Sequence, residues 1–268
     1  MAARNAFAGK TVLITGGASG FGFELARQLL HAGAKPIVLD TDGEAIGKLT
    51  NISGYICDIT DIGALAQTCV EIEAAYGPID IAVANAAIDM SGEAHLYSAE
   101  DWARILDVNL KGVTNLIAAI YPKMVERQSG QFLFISSGSG RVGFPFGLPY
   151  TTSKSALNGL AAGLRAEAAP HNVDIHIAIL PLLQGGLADK ADSQSGTDRL
   201  AWLAAVPGKT YSLPAAARAT LKGLARNKPR IVFPRHQAFA YWLMDVFPPL
   251  GTLIRRQLVA KFHQVGRK

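Results

Sequence analysis

Cysteine is nearly absent from this chain: two of 268 residues, Cys57 and Cys69. No Cys-x-x-Cys pair and no Cys/His metal spacing occurs, so no metal centre is expected. Buried, reduced thiols are the simplest reading of the pair, and they suit a cytoplasmic location. Met1 to Gly9 lacks the apolar run that a secretory signal requires. Dense charge blocks are missing too. Basic residues exceed acidic ones by five, many of them between Arg226 and Lys268, yet no nucleic-acid motif accompanies them. A solvated basic face is therefore expected, and no nucleic-acid partner. Internal repeats, heptads and low-complexity segments are also lacking. Charged residues make up only 18% against 49% hydrophobic, which favours a sizeable core over disorder.

What the chain has is alternation, punctuated by 27 glycines spread along its length. Apolar, strand-like runs are expected at Lys10 to Thr15, Pro36 to Leu39, Gly54 to Cys57, Ile79 to Ala84, Gln131 to Ile135, Val173 to Leu180 and Arg230 to Phe233. Helical patterns lie between them: Gly20 to Ala32, Asp61 to Tyr76, one long helix from Ala99 to Met124, Tyr150 to Ala169, and Pro214 to Arg226. Strands joined by helical crossovers imply an α/β protein: one doubly wound Rossmann domain with a mainly parallel seven-stranded sheet and helices on both faces. That domain is expected to span 1–235, with a substrate lid at about 182–213. Residues 236–268 form an apolar and basic extension. Ligands of such sheets sit beyond the carboxyl ends of the strands.

The segment Thr15-Gly16-Gly17-Ala18-Ser19-Gly20-Phe21-Gly22 falls between the first strand and the first helix. Glycines serve where the backbone turns sharply and where a side chain would hold off a pyrophosphate. The helix amides that follow would then face the phosphates. Asp40 ends the second strand, eighteen residues beyond Gly22. A carboxylate there accepts the ribose hydroxyls of NAD and repels the 2′-phosphate of NADP, and no lysine or arginine immediately follows it. Capping of the next helix is the competing role for Asp40, although Asp42 can fill it instead.

Tyr150 and Lys154 stand four residues apart on one helical face. A free tyrosine has a pKa near 10, and a neighbouring cation favours its phenolate. Alone, such a pair reads as a surface contact. With its surroundings, the chain resembles the short-chain dehydrogenase/reductase family. The resemblance rests on the glycine loop Thr15–Gly22, Asp58, Ala84-Asn85-Ala86-Ala87, Asn109, Ser136-Ser137 and Tyr150-x-x-x-Lys154, in family order from about residue 10 to 181.

That resemblance implies an NAD-dependent enzyme interconverting an alcohol and a ketone. Tyr150 would be the general acid/base, Lys154 would lower its pKa and hold the nicotinamide ribose, and Ser137 would hold the substrate oxygen. Ser136 competes for the last role, but family spacing selects Ser137. Asn109 would hold a water in a proton relay; a locally bonded helix asparagine is the alternative. Gly16, Ser19, Gly20, Phe21, Gly22, Asp40, Asp58, Ile59, Asn85 and Pro181 would join Tyr150 and Lys154 in binding the cofactor. Asp58 can equally cap the helix opened by Asp58-Ile-Thr-Asp61. Asn85 would line the adenosine side and brace the central sheet. A non-catalytic NAD-sensing regulator on the same fold is the alternative function; it needs the glycine loop but none of the four catalytic residues.

Three regions depart from the family. The family's Asn-Asn-Ala-Gly reads Ala84-Asn85-Ala86-Ala87 here, losing the flexibility of the final glycine. The segment Pro181-Leu182-Leu183-Gln184-Gly185-Gly186 lacks the threonine that would hold the carboxamide, leaving Gln184 or a backbone group to replace it. Around the site, Leu200, Trp202, Leu203 and Val206, with Phe144, Phe146 and Leu148, are candidates for an apolar substrate pocket, which suggests a bulky, apolar or aromatic substrate. In the tail, Ala238 to Phe247 is apolar, Pro248-Pro249 breaks it, and Leu253 to Phe262 resumes with basic residues. Asp245 and the two prolines argue against a spanning helix. Packing on the core, capping a partner subunit, or peripheral contact with anionic lipid stay open. The family resemblance also implies a homodimer or homotetramer.

Overall fold

A computed structural model describes residues 6–187, 192–193 and 210–265. Seven strands run in chain order as β1 (Thr11–Thr15), β2 (Lys35–Asp40), β3 (Ser53–Ile56), β4 (Ile81–Ala84), β5 (Gly130–Ser137), β6 (Val173–Leu180) and β7 (Arg230–Val232). They form one sheet in the order β7-β6-β5-β4-β1-β2-β3. Every neighbouring pair is parallel, from Thr11 opposite Lys35 to Ser137 opposite Leu180. The strand order reverses between β1 and β4, and that switch point opens the ligand crevice.

Buried parallel strands need apolar side chains on both faces, and the alternation along each strand sorts them. Leu13, Ile37, Leu39, Ala82, Phe132 and Phe134 pack into one core cluster. Val12, Ile14, Val38, Ile81, Val83, Leu133 and Ile135 pack into the other. Helices α1 (Gly20–His31) and α8 (Leu213–Leu224) cover the second face through Leu25, Leu29, Ala217 and Leu221. The first face is covered by α3 (Ile62–Tyr76), α5 (Gly112–Glu126) and α7 (Leu148–Ala168), through Leu65, Leu116 and Leu157. A short α2 (Gly43–Gly47) follows β2.

The long helix expected from Ala99 to Met124 runs from Ala99 to Glu126, with one irregular turn inside it. It begins as α4 (Ala99–Leu106), capped by reciprocal bonds between Ser98 and Asp101. It then widens into a π-turn, Asp107–Lys111, before α5 begins. Such bulges turn a residue out of the regular ladder and recur at functional sites. Asn109 stands at the middle of this turn and is fully buried.

The tail forms two further helices, α9 (Arg235–Val246) and α10 (Pro248–Val265), divided at the proline pair. Both return to the same chain beside α6 (Ser139–Val142). Tyr241 reaches Gly138, Arg141 pairs with Asp245, and Arg255 Nη1 donates to the Val142 carbonyl at 2.8 Å. Phe262 is buried and stacks on Phe146 at 3.6 Å between ring centres. Among the described residues, no helix is long and apolar enough to cross a membrane.

Candidate active site

The glycine loop is shaped by close approach. A side chain on Gly22 would run into the Gly16 carbonyl and the Asn85 amide, so the α1 terminus can seat against the loop only with glycine there. Gly16 has φ +60, and a Cβ there would meet Ala86 Cα at 2.8 Å. Asn85 Nδ2 donates to the Thr15 and Gly16 carbonyls at 3.0 and 2.9 Å. Thr15 Oγ1 in return accepts from the Asn85 and Ala86 amides, each at 3.1 Å. Asn85 thus fastens the end of β4 to the loop leaving β1.

Beside this loop lies a cleft of about 510 Å³. Gly16, Ser19, Gly20, Phe21, Asp40, Asp58, Ile59 and Asn85 all line it. Gly22 lies under the loop instead, and Pro181 precedes the wall rather than forming it. The two capping alternatives resolve in the same way. Asp42 accepts from the Ala45 amide at 2.9 Å and caps α2, while Asp61 accepts from the Ala64 amide at 3.0 Å and caps α3. Asp40 instead accepts from the Ala18 and Asp42 amides at 3.0 and 3.2 Å, which fixes its carboxylate at the loop. Asp58 accepts from the Thr60 amide at 2.8 Å in a turn ahead of the helix.

Glycine-cradled amides and an open cleft of this size, with a carboxylate at the far strand end, fit a dinucleotide. Cys57 also lines the cleft, and burial pushes its thiol pKa up. Burial likewise pushes the Cys69 thiol to about 12, so neither is a ready nucleophile.

Tyr150 and Lys154 sit on the first two turns of α7, whose entry is preset by Pro149. They are not a surface pair. Lys154 is 3% exposed, its Nζ donates to the Ile135 carbonyl at 2.9 Å, and it lies 5.5 Å from the centre of the Tyr150 ring. Burial lowers its pKa to about 8, opposed by the nearby Asp89 carboxylate. Gly140 permits the tight approach of α6, since a Cβ there would strike the Lys154 backbone at 2.6 Å.

The serines divide by position on β5. Ser136 is buried and donates to the Lys154 carbonyl at 3.1 Å, which commits it to holding α7. Ser137, at the strand's carboxyl end, accepts from the Ser139 amide at 3.2 Å and is only half-buried. Asn109 meets neither expectation simply. Its side chain accepts from the Ile88 amide at 2.8 Å and donates to the Ile88 carbonyl at 2.8 Å and to Ser153 Oγ at 3.1 Å. A side chain so committed has no donor left over for a relay water.

Past Pro181, Leu183–Gln184 pairs with Tyr211–Ser212, and Gly185, Gly186 and Leu187 line the cleft. Gln184 is not among the residues that line the cleft; its neighbours Gly185 and Gly186 are. Phe146 is stacked beneath the tail, while Leu200, Trp202, Leu203 and Val206 fall outside the described residues. Sequence reasoning missed Asp89, Arg104 and Val108, which also line the cleft. Asp89 follows the Ala84–Ala87 turn directly, a signal available in the sequence. Arg104 of α4 and Val108 of the π-turn reach the cleft from the helix, with no motif to mark them in the sequence.

Fold and cleft together are those of a doubly wound α/β protein of the nucleotide-binding kind. The model of the short chain dehydrogenase family matches residues 10–195, and the chain belongs to that family. It is 31% identical over 185 residues to dehydrogenase/reductase SDR family member 7C of Xenopus tropicalis, a match covering 64% of this chain and 60% of that relative's length. Among solved structures it resembles a short-chain dehydrogenase/reductase of Burkholderia phymatum in complex with NAD. That likeness has a TM-score of 0.82 at 22% identity and covers 91% of this chain and 95% of the other. A short-chain dehydrogenase of Sphingobium yanoikuyae in complex with NADPH is similar as well, with a TM-score of 0.76 at 23% identity over 91% and 95% of the two chains.

Proposed function

We propose that this protein is an NAD-dependent oxidoreductase that interconverts a secondary alcohol and a ketone, with Tyr150 as general acid/base. The observation that carries this reading is the buried Lys154 ammonium beside the Tyr150 ring. Taking an ammonium out of water is costly, and an NAD-sensing regulator would gain nothing from that cost. A catalytic site gains a cation that favours the phenolate. A bound nicotinamide dinucleotide supplies the hydride acceptor or donor.

The chain's own residues do the rest. Gly16, Ser19, Gly20 and Phe21 receive the pyrophosphate at the α1 terminus, with Gly22 keeping the helix close. Asp40 accepts the adenosine ribose hydroxyls, while Asp58, Ile59 and Asn85 bound the adenine side. Pro181 sets the exit of β6, so that the Gly185–Leu187 backbone holds the carboxamide. During oxidation Tyr150 takes the alcohol proton; during reduction it returns it. Ser137 donates to the substrate oxygen and stabilises the charge that develops there. Lys154 keeps its charge below about pH 8 and holds the ribose. Asn109, its side chain spent on Ile88 and Ser153, holds a relay water through its main-chain carbonyl within the π-turn.

Asp40, followed by Thr41 and Asp42 rather than a base, favours NAD over NADP. The apolar residues Phe144, Phe146 and Leu148, just before Tyr150, favour a bulky, apolar or aromatic substrate. The reading includes a homodimer or homotetramer and a cytoplasmic, reducing setting that suits two free, buried cysteines. A screen of secondary alcohols with NAD, followed by absorbance of the reduced nicotinamide, tests it. Turnover of an aryl or bulky alkyl carbinol is expected, with Tyr150→Phe lowering kcat by about 10²–10⁴ while nucleotide still binds. Full turnover in Tyr150→Phe would overturn the catalytic assignment, and a much lower KM for NADP would overturn the role given to Asp40.

A further inference from the structure

Nine large apolar side chains are strongly exposed among the described residues, and five of them fall in one short stretch of the tail. Phe239, Trp242, Val246, Phe247 and Leu253 are each 54–65% exposed. Phe239, Trp242 and Val246 follow a 3,4 spacing, so they share one face of α9. The Phe239 and Trp242 rings lie 5.6 Å apart on it. The opposite side of the tail is already used, by Tyr241 at Gly138 and by Leu258 and Phe262 in the interior. The exposed face is therefore not a core face left open by accident of packing.

Charge decides what covers it. Exposed Arg235 stands four residues before Phe239, and exposed Arg256 three residues after Leu253, so arginines flank the apolar stripe at both ends. Asp245 is the only acidic residue between 235 and 265, and it is paired with Arg141. A second copy meeting this patch about a two-fold axis would set basic rims against each other with no free carboxylate between them. An anionic lipid surface meets both the apolar and the basic groups. Aromatic side chains on one helical face, flanked by arginine, are what seats a helix at a headgroup boundary.

We infer that the outer face of α9 and the start of α10 docks this protein on an anionic lipid surface. The tail lies at the interface without crossing it, since no described helix is long enough to span. Docking there brings the β5–α6 turn beside Ser137 close to the bilayer, because Tyr241 packs against Gly138 in that turn and Asp245 pairs with Arg141 of α6. The inference stands apart from the reaction, because its readout is sedimentation and not turnover.

The full chain is sedimented with vesicles of phosphatidylcholine and with vesicles of equal parts phosphatidylcholine and phosphatidylglycerol. Binding to the second alone, weakening as salt rises, is expected. Arg235→Glu and Arg256→Glu should each weaken it by about fivefold or more, near what one basic residue contributes at such a surface. Phe239→Ser with Trp242→Ser should abolish it, and unchanged melting shows that these surface variants fold. Failure of the parent chain to bind either vesicle overturns the inference, as does binding that all these variants retain. Vesicle-free dimers that the Phe239→Ser/Trp242→Ser variant dissociates, without lipid binding, would assign the face to a second copy instead.

Discussion

At the residue scale the most demanding group is the Lys154 ammonium. Its pKa falls to about 8 in the folded protein through burial, against 10.5 in water. Between these values the unfolded chain holds a proton that the folded chain has released. Stability therefore rises with pH across that window rather than falling. The nucleotide-free protein should gain stability between about pH 8 and 10.5, read as a rising urea midpoint, and Lys154→Met should lose that rise. Equal pH profiles for the two would mean that the ammonium is not desolvated. The same variant should be inactive yet fold at least as well at neutral pH, because an unbranched apolar chain occupies the space without a charge to desolvate. Tyr150 and Lys154 were legible as a pair from their spacing. That the lysine is sealed beneath the tyrosine was not, because burial depends on α6 closing over α7 through Gly140, residues distant from the pair.

At the scale of elements, strands were read closely because each carries its own apolar pattern. Expected and observed limits differ by no more than two residues, and β6 matches at both ends. The long helix expected from Ala99 to Met124 runs from Ala99 to Glu126, but the π-turn inside it was not legible, because a π-turn has no periodicity of its own. Within that turn, Asn109 satisfies both backbone groups of Ile88, a contact 21 residues away in sequence. Asn109→Ala should leave that amide and carbonyl without their side-chain partner, costing about 1–3 kcal/mol in a denaturant titration. It should also weaken nucleotide binding, since Ile88 and Val108 line the cleft. A neutral effect on both would show that the π-turn holds without this bridge.

For the whole molecule, the tail is the feature that distinguishes one part of the surface from the rest. Phe262 is the anchor: buried, and stacked on Phe146 in the loop that leads into α7. Removing a buried aromatic ring costs about 3–5 kcal/mol where the site cannot collapse. Phe262→Ala should therefore free α10, expose it to limited proteolysis, and loosen substrate binding, seen as a rise in KM with nucleotide affinity unchanged. Protection of α10 equal to the parent would place the anchor elsewhere. His263 lies beside the same pair, its ring edge-on to Phe146 at 5.9 Å between centres.

The sequence by itself determined the α/β class, the alternation of strands and helices, the glycine loop, and the short-chain dehydrogenase pattern that the family match bears out. These are local matters: apolar period, turn chemistry and fixed spacings act over a few residues and need no distant partner. Only the tertiary structure decided which of Asp40 and Asp42 caps a helix, and which of Ser136 and Ser137 is spent on holding α7. It also decided how Asn109 is used, and where the tail goes. Each of those choices is made by a group between 18 and more than 100 residues away, or by competition between neighbours for one amide, and neither leaves a periodic trace in the chain.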